Sequence, residues 1–179
     1  MKKIAIAVLL SVFVAAPALA DNTGKFYIAG DLGTATYSNL SPFPNPGKLG
    51  FGLGFRISPT IAAELGLTIF GDSIINYGFG QATLSASSFH PAIVGSLPIN
   101  DQFDLIGKLG IAFNKAEIND TFFGTESASN TSPMFGFGAQ YKINPQFSLR
   151  MHYENFGKFE NAPDPMSASA FSLGIVINI

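Results

Sequence analysis

The chain has 179 residues, a formal net charge of −2, no cysteine, and only 12% charged residues beside 47% hydrophobic ones. This length suits about one domain, and the lack of cysteine excludes a disulfide framework. The sequence has no basic patch of the kind that binds nucleic acid. No stretch of 18 consecutive apolar residues is present, which excludes a transmembrane helix.

Residues 1–20 have the three parts of a secretory signal peptide. Lys2 and Lys3 form the positive start, residues 4–15 form the apolar run, and Ala18-Leu19-Ala20 is a small-residue cleavage site. A membrane anchor is the alternative, but the apolar run is too short to span a bilayer. We therefore expect a cleaved signal peptide over 1–20 and one exported domain over 21–179.

The next part of the chain alternates apolar and polar residues with the period of two that is typical of β-strands. It predicts five strands over residues 26–37, 49–57, 61–69, 88–99 and 103–113, separated by long loops at 38–48, 71–87 and 114–131 and by short turns at 58–59 and 100–101. Within the fourth strand, Pro91 predicts a bulge or an end position near the loops, since proline cannot donate to a sheet ladder.

Residues 132–157 predict two more strands, joined by a turn at Asn144-Pro145. One face of this hairpin is apolar, whereas the other carries glycine, amide, guanidinium and imidazole groups, Arg150 and His152 among them. A last strand alternates from Phe171 to Ile179. The chain thus has eight predicted strands.

Connections of alternating length and aromatic residues near both ends of the strands are typical of bacterial outer-membrane barrels. The outward aromatic residues form two groups: Phe26, Phe55, Phe103, Tyr141 and Phe147 at the turn end, and Phe89, Phe113, Phe135, Tyr153 and Phe171 toward the loops. We predict an all-β fold, an eight-stranded antiparallel up-and-down transmembrane β-barrel with short periplasmic turns and long extracellular loops. A soluble lipocalin-like barrel is the alternative, but the less apolar face has too few charges for a water-exposed exterior.

The chain resembles the transmembrane domain of the OmpA family. The resemblance covers nearly the whole predicted mature length and is densest in SPMFGFGAQYKINPQFSLRMHYENF, with support from FYIAGDLG, AAELGL, LPINDQFDLIGKLG and FSLGIVINI. It implies a barrel surrounded by outer-membrane lipid and inserted by the assembly machinery through its last strand; we expect a monomer. No proline-rich linker or peptidoglycan-binding domain follows Ile179, so we expect no cell-wall tethering. The family's last strand normally ends in an aromatic residue, and Ile179 departs from this.

The resemblance also implies a polar network inside the barrel. Glu64, Lys108 and Arg150 occupy positions of paired interior charges. Gln140 stands where a glutamate is usual, Val94 where a lysine is usual, and His152 where an acid is usual. Such charges need partners in a narrow lumen, so we expect Glu64 to pair with Arg150 or Lys108. The predicted network is Asp31, Glu64, Lys108, Gln140, Arg150 and His152, although Asp31, Asp104 and Glu154 could equally be solvated residues at the barrel mouths.

These features favour an integral outer-membrane protein with a structural or surface-exposed role, whose loops are available for surface ligands. Loop aromatic residues favour such contacts: Phe43, Tyr77, Phe79, Phe122 and Phe123. A narrow gated pore is the first alternative and a lipid-modifying barrel enzyme the second. We expect no enzyme, because His90 and His152 face inward, away from lipid, and no cofactor or metal, because no His-x-His or His-x-x-x-His spacing occurs.

Overall fold

The computed structural model describes residues 24–38, 44–78, 80–122, 124–159 and 165–179; the predicted signal peptide lies outside them. Its strands pair antiparallel in chain order, and the first pairs with the last to close a barrel, so the predicted fold class is confirmed. The described strands are β1 (Phe26–Ser38), β2 (Gly47–Arg56), β3 (Ile61–Tyr77), β4 (Gly80–Pro98), β5 (Phe103–Asp120), β6 (Gly124–Lys142), β7 (Phe147–Lys158) and β8 (Ser167–Asn178). No helix long and apolar enough to cross a membrane occurs in the described ranges.

The exterior of the barrel is a band of apolar side chains bounded by aromatic pairs. At the turn end the rings of Phe26 and Phe55 lie 5.0 Å apart, and toward the other end those of Phe89 and Phe113 lie 6.1 Å apart. Along β5, the ten residue steps from Phe103 to Phe113 cover about 34 Å of strand, or about 26 Å of height at a tilt of about 40°. This height matches the apolar band of about 25 Å in outer-membrane barrels.

The three short turns share one construction. Ser58, Asn100 and Asn144 each accept, through a side-chain oxygen, hydrogen bonds from the backbone N–H groups two and three residues later, at 2.8–3.3 Å. Short polar side chains favour such turns, because they satisfy backbone donors that the sheet leaves free. The three repeated turns set the register of the strand pairs that they join. We call this end of the barrel the turn end.

The opposite end, the hairpin end, differs from the sequence prediction. Residues 71–87 and 114–131 were expected to be loops, and this is wrong: the β3–β4 pairing continues to Tyr77 and Gly80, and the β5–β6 pairing continues to Asp120 and Gly124. The strands continue beyond the apolar band, where their outer face no longer contacts hydrocarbon. The apolar alternation therefore stops although the strands do not. The other two long connections include residues 39–43 and 160–164, which lie outside the described residues.

The expectation of a bulge or strand end at Pro91 is also wrong. Phe89 pairs with Phe113 and Ala92 with Gly110, so the register of β4 against β5 is the same on both sides of the proline. Only the two intervening pairs are missing from the ladder, since proline has no N–H to donate. A register shift instead occurs in β3, between Phe70 and Ser73.

Candidate functional site

The barrel interior contains a continuous chain of charged and polar side chains. Their positions alternate with the lipid-facing residues along each strand, so the pleat directs them into the lumen. We call this group the interior network; its members are Asp31, Lys48, Glu64, Lys108, Gln140, Arg150 and Glu154.

Glu64 is the first centre of the network. Its carboxylate accepts hydrogen bonds from the Tyr27 hydroxyl at 2.7 Å and from Arg150 Nη1 at 3.0 Å, and Lys108 Nζ lies 2.6 Å away. Arg150 also donates from Nε and Nη2 to Oε1 of Gln140, at 3.2 and 3.1 Å. The two cations around Glu64 therefore hold it as an ionised carboxylate with every contact at hydrogen-bond distance.

Glu154 is the second centre. It accepts from Lys108 Nζ at 2.8 Å and from Lys48 Nζ at 2.9 Å, and Lys48 also donates to Asp31 at 2.6 Å and to Ser172 at 3.1 Å. Lys108 thus joins the two centres. With Asp31, Glu64 and Glu154 as acids and Lys48, Lys108 and Arg150 as bases, the network has equal numbers of opposite charges.

The structure brings together five of the six residues predicted for this site: Asp31, Glu64, Lys108, Gln140 and Arg150. The sixth, His152, is buried with Nε2 3.3 Å from a Glu154 oxygen and 3.9 Å from an Asp31 oxygen. Asp104 lies apart from the network and pairs with Lys142 at 2.7 Å.

Two members of the network, Lys48 and Glu154, were not among the predicted site residues. Lys48 was assigned to a loop, yet it lies in β2 and has the same inward parity as Gly50, Gly52 and Gly54. Extending the strand alternation by one residue would have placed Lys48 in the lumen, and the same parity extended along β7 places Glu154 there.

Two glycines of β2 provide space for the network. A Cβ atom at Gly54 would overlap the Tyr27 ring, and one at Gly50 would overlap the Asp31 carboxylate. Glycine is therefore required at these positions because neighbouring strands direct large side chains over them. The Gly-x-Gly-x-Gly pattern of this strand is explained by interior packing.

Above the network, toward the hairpin end, apolar side chains fill the lumen. This apolar plug consists of Phe70, Leu84, Met134, Phe156, Phe159 and Met166, all buried. The ring of Phe70 packs edge-on against Phe156 at 5.4 Å and against Phe159 at 5.8 Å. Sequence analysis missed the plug because the third predicted strand ended at residue 69 and the fourth began only at residue 88.

Little open space surrounds the network. Two gaps beside it have about 10 Å³ each, room for about one water molecule. At the turn end a wider vestibule of about 320 Å³ opens, lined by polar side chains that include Arg56, Gln102 and Lys142. The network and the apolar plug thus lie one above the other in the described lumen. A further cavity of about 120 Å³ lies against the plug, beside Leu84, Phe159 and Met166.

Beyond the aromatic residues at the hairpin end, four strands continue as a strand wall. It comprises residues 71–77 of β3, 80–88 of β4, 114–120 of β5 and 124–131 of β6. From Phe113 to Asp120 the strand advances by about 24 Å, which corresponds to about 18 Å of height. The outward column changes at this level from Phe113 to Lys115, Glu117 and Asn119, as expected where a barrel leaves the hydrocarbon.

The tips of the strand wall are joined and its two sides are open. Thr121 Oγ1 donates to the Gln81 carbonyl at 2.9 Å and accepts from the Gln81 N–H at 3.0 Å. β2 pairs with β3 only up to Phe70, and β7 pairs with β6 only from Phe135. Within the described chain, residues 74–77 and 124–129 are therefore paired on one side only.

Among the predicted loop aromatic residues, Phe122 lies at the tip of the strand wall and is 65% exposed. The side chain of Tyr77, and the whole of Phe43, Phe79 and Phe123, lie outside the described part of the structure. No group of three or more histidine and carboxylate side chains among the described residues is arranged to hold a metal ion.

A model of the outer membrane protein beta-barrel domain matches residues 5–178 of the chain. The chain belongs to this family. Outer membrane protein A of Escherichia coli O157:H7 is 26% identical over 98% of the chain, and the chain spans about half, 54%, of that relative's length. The attachment invasion locus protein of Yersinia pseudotuberculosis is 38% identical over 31% of both proteins.

Two solved structures have the same fold. The attachment invasion locus protein Ail of Yersinia pestis, crystallised with the heparin analogue sucrose octasulfate, gives a TM-score of 0.65 at 20% identity, covering 88% of this chain and 99% of that one. Neisserial surface protein A gives 0.65 at 15% identity, covering 86% and 97%. Family and fold confirm the predicted OmpA-type barrel and its location in the outer membrane.

Family membership also orients the barrel. In outer-membrane barrels the short turns face the periplasm and the long connections face outward. The turn end of this protein is therefore periplasmic, and the strand wall stands on the cell surface.

Proposed function

We propose that this protein anchors the strand wall at the cell surface and that the wall binds extended segments of partner proteins by pairing them with its open edge. The observation that carries this proposal is that, within the described residues, 124–129 of β6 pair on one side only. An unpaired strand edge presents a row of backbone N–H and C=O groups, which is a template for another strand.

The composition of the β6 edge favours this use. Natural edges are usually protected by proline, charged side chains or a bulge, and the segment Gly-Thr-Glu-Ser-Ala-Ser has only one of these, the side chain of Glu126. Its other side chains are small and allow another backbone to approach closely. The joined tips at Gln81 and Thr121 keep the wall ordered before a partner arrives, which lowers the entropic cost of binding.

Charge at the hairpin end favours a neutral or basic partner. Acids outnumber bases among the described residues of this region. Asp72 and Glu126 are exposed and Glu117 and Asp120 are half-buried, against the exposed Lys115 and Lys158. Ail was crystallised with a polysulfated heparin analogue, but a polyanion would be repelled by this surface. We therefore expect strand-forming peptide to bind here rather than heparin-like polymer.

Peptide selection tests the proposal. The protein in lipid nanodiscs is panned against a phage library of random 12-residue peptides, and an enriched peptide is resynthesised with N-methyl groups on alternate residues. We expect the unmodified peptide to bind and the N-methylated peptide to fail, because its side chains are kept while backbone donors are lost. A variant with residues 117–127 replaced by Asn-Gly, which keeps Ala116 opposite Ala128 and shortens the β5–β6 hairpin, should also fail to bind.

Three results would contradict strand pairing: no peptide is enriched, the N-methylated peptide binds equally well, or the shortened variant binds as wild type does. Each variant is first required to show the heat-modifiable gel mobility of a folded barrel.

Surface presentation has an independent test, which benefits from the absence of cysteine. Phe122→Cys places a thiol at the exposed tip of the wall, and Asp101→Cys places one in an exposed short turn. A membrane-impermeant maleimide should label residue 122 in intact cells and residue 101 only after permeabilisation. Labelling of residue 101 alone in intact cells would reverse the orientation.

The interior supports a closed barrel rather than a pore. Ion passage would require both separation of the ion pairs at Glu64 and Glu154 and displacement of the apolar plug. An apolar constriction blocks hydrated ions by dewetting. We infer that the interior network and the plug stabilise the barrel.

The same geometry supports a non-enzymatic role. His90 shares a hydrogen bond with Thr68 at 3.0 Å inside the lumen, and His152 lies beside Glu154. Lipid outside the barrel does not reach either ring, so neither is placed to act as a base on a lipid substrate.

We also infer a monomer that the outer-membrane assembly machinery inserts through its last strand. Closure of the barrel within one chain, through β1 and β8, supports the monomer. Light scattering in detergent measures the oligomeric state directly.

A further inference from the structure

The lipid-facing wall is not uniform: a groove of about 520 Å³ crosses β2 to β5. Ala63 lies between Phe55 of β2 and Ile93 of β4 in one cross-strand row. In the next row Pro91 lies beside Leu65. These two small residues form the floor, and the large side chains around them form the rim: Leu53, Phe55, Leu65, Ile93, Leu109 and Ile111.

The groove begins at the turn end. Phe26 and Phe55, one of the aromatic pairs of that interface, line its opening. Its other end reaches Ile111, two residues before Phe113 at the opposite interface. The groove therefore lies within the hydrocarbon band and its opening lies at the periplasmic interface.

The lining is almost wholly hydrocarbon, and its rim residues are well exposed. Leu53, Leu65 and Ile111 are each about half exposed to the surroundings, and Leu109 is 65% exposed. The groove also covers the two missing pairs of the β4–β5 ladder at Pro91. Closed strands fix the groove walls in place, so an occupant is not required to order them.

We propose that this groove holds one acyl chain of a phospholipid from the periplasmic leaflet. A chain in the groove contacts side chains on three sides instead of one, and many weak dispersion contacts then add up to a preferred position. The groove reaches the aromatic pair Phe26 and Phe55 at the periplasmic interface but stops two residues short of Phe113 at the other interface. This position suits a chain from the periplasmic leaflet. This lipid-binding groove is thus separate from the strand wall and from its proposed role at the cell surface.

Retention of lipid during purification tests this proposal. Wild type, Ala63→Leu and Ala139→Leu are extracted from outer membranes in mild detergent, washed with excess detergent, and weighed by native mass spectrometry. Ala63→Leu fills the floor of the groove. Ala139→Leu adds the same side chain at another small outward position, on β6 between Leu105 and Met151 and away from the groove.

We expect one phospholipid per barrel on wild type and on Ala139→Leu, and about tenfold weaker retention on Ala63→Leu. That factor corresponds to the loss of about ten carbon–carbon dispersion contacts. Absence of bound phospholipid on wild type, equal retention by Ala63→Leu, or retention of lipopolysaccharide in its place would overturn the proposal. Heat-modifiable mobility confirms that each variant is folded before its mass is measured.

Discussion

Removal of the Glu64 carboxylate is the perturbation to which the interior should respond most strongly. Glu64 is 3% exposed and accepts from the Tyr27 hydroxyl and two cations at 2.6–3.0 Å. In Glu64→Ala, Lys108 keeps only Glu154, and Arg150 keeps only the Gln140 amide oxygen. Three interior bases then face two interior acids, and a tyrosine hydroxyl loses its acceptor.

Breaking a buried pair by removing one partner costs about 3–5 kcal/mol, because the remaining charge is left uncompensated. We therefore expect Glu64→Ala to lower the free energy of unfolding by about 3–5 kcal/mol. The assay is urea unfolding of the refolded barrel in lipid vesicles, with the folded fraction read from gel mobility.

Glu117→Ala is the matched control. Glu117 lies 3.7 Å from Lys115, but the two side chains are 46% and 64% exposed. An exposed pair of this kind contributes at most about 1 kcal/mol. Equal stability of the two alanine variants would refute the argument that the interior network is a compensated, desolvated unit.

A double variant separates charge balance from packing. Glu64→Gln with Arg150→Met removes one acid and one base together, leaving two of each. Replacement of a buried ion pair by neutral groups of similar volume is often nearly neutral. We expect the double variant to recover most of the stability lost in Glu64→Ala, and a double variant that is less stable than Glu64→Ala would argue against charge balance.

Three further predictions concern the plug, the last strand and conduction. Phe156→Ala should destabilise the barrel by about 3–5 kcal/mol in the same urea assay, since the ring is fully buried against Phe70, whereas Phe113→Ala on the lipid face leaves no internal cavity and should cost less. Ile179→Phe should leave folding intact and speed insertion into vesicles containing the purified assembly machinery; a block in insertion would contradict the assignment of the last strand. Wild type in a planar bilayer should give no discrete conductance steps, and Phe156→Ala with Glu64→Gln, which weakens both barriers, should give them; steps from wild type would favour the pore.

The sequence predicted the strands and their outward faces correctly wherever one face of the sheet contacts lipid. Phe51 and Leu53 of β2, or Phe135 and Phe137 of β6, alternate with small or polar residues because one side of the sheet faces hydrocarbon and the other faces the lumen. This pattern predicted the number of strands, their outward faces and the positions of both aromatic groups. It arises from contact with the membrane on one side of the sheet and does not depend on which residues pair across strands.

The same rule failed where the membrane ends. Ser127 and Ser129 in β6 pair with Glu117 and Lys115 in β5 as regularly as any lipid-facing residues do. However, water solvates their outer face, so no apolar alternation signals the strand. Backbone hydrogen bonds between neighbouring strands hold this segment, and such pairing is not visible in the sequence of one strand.

Strand alternation and the family resemblance predicted most members of the interior network, but not which of them contact one another. Glu64 was expected to pair with Arg150 or Lys108, and the structure places it beside both. The bridge through Glu154 to Lys48 depends on strands distant in sequence meeting across the lumen, since the two partners are 106 positions apart. Only the closed geometry of the barrel decides such distances.

The interior also explains why a neutral residue is tolerated at position 140. By resemblance, Gln140 and Val94 replace one interior acid and one interior base, and the six charges that remain are equally divided. Gln140 keeps an oxygen that accepts twice from Arg150, so the guanidinium loses an anionic partner without losing its acceptor. In a barrel this narrow, loss of an acid and a base together leaves no charge uncompensated away from water. Residues that project beyond the membrane need no such compensation, which is why the strand wall, rather than the lumen, is where this protein is free to acquire partners of its own.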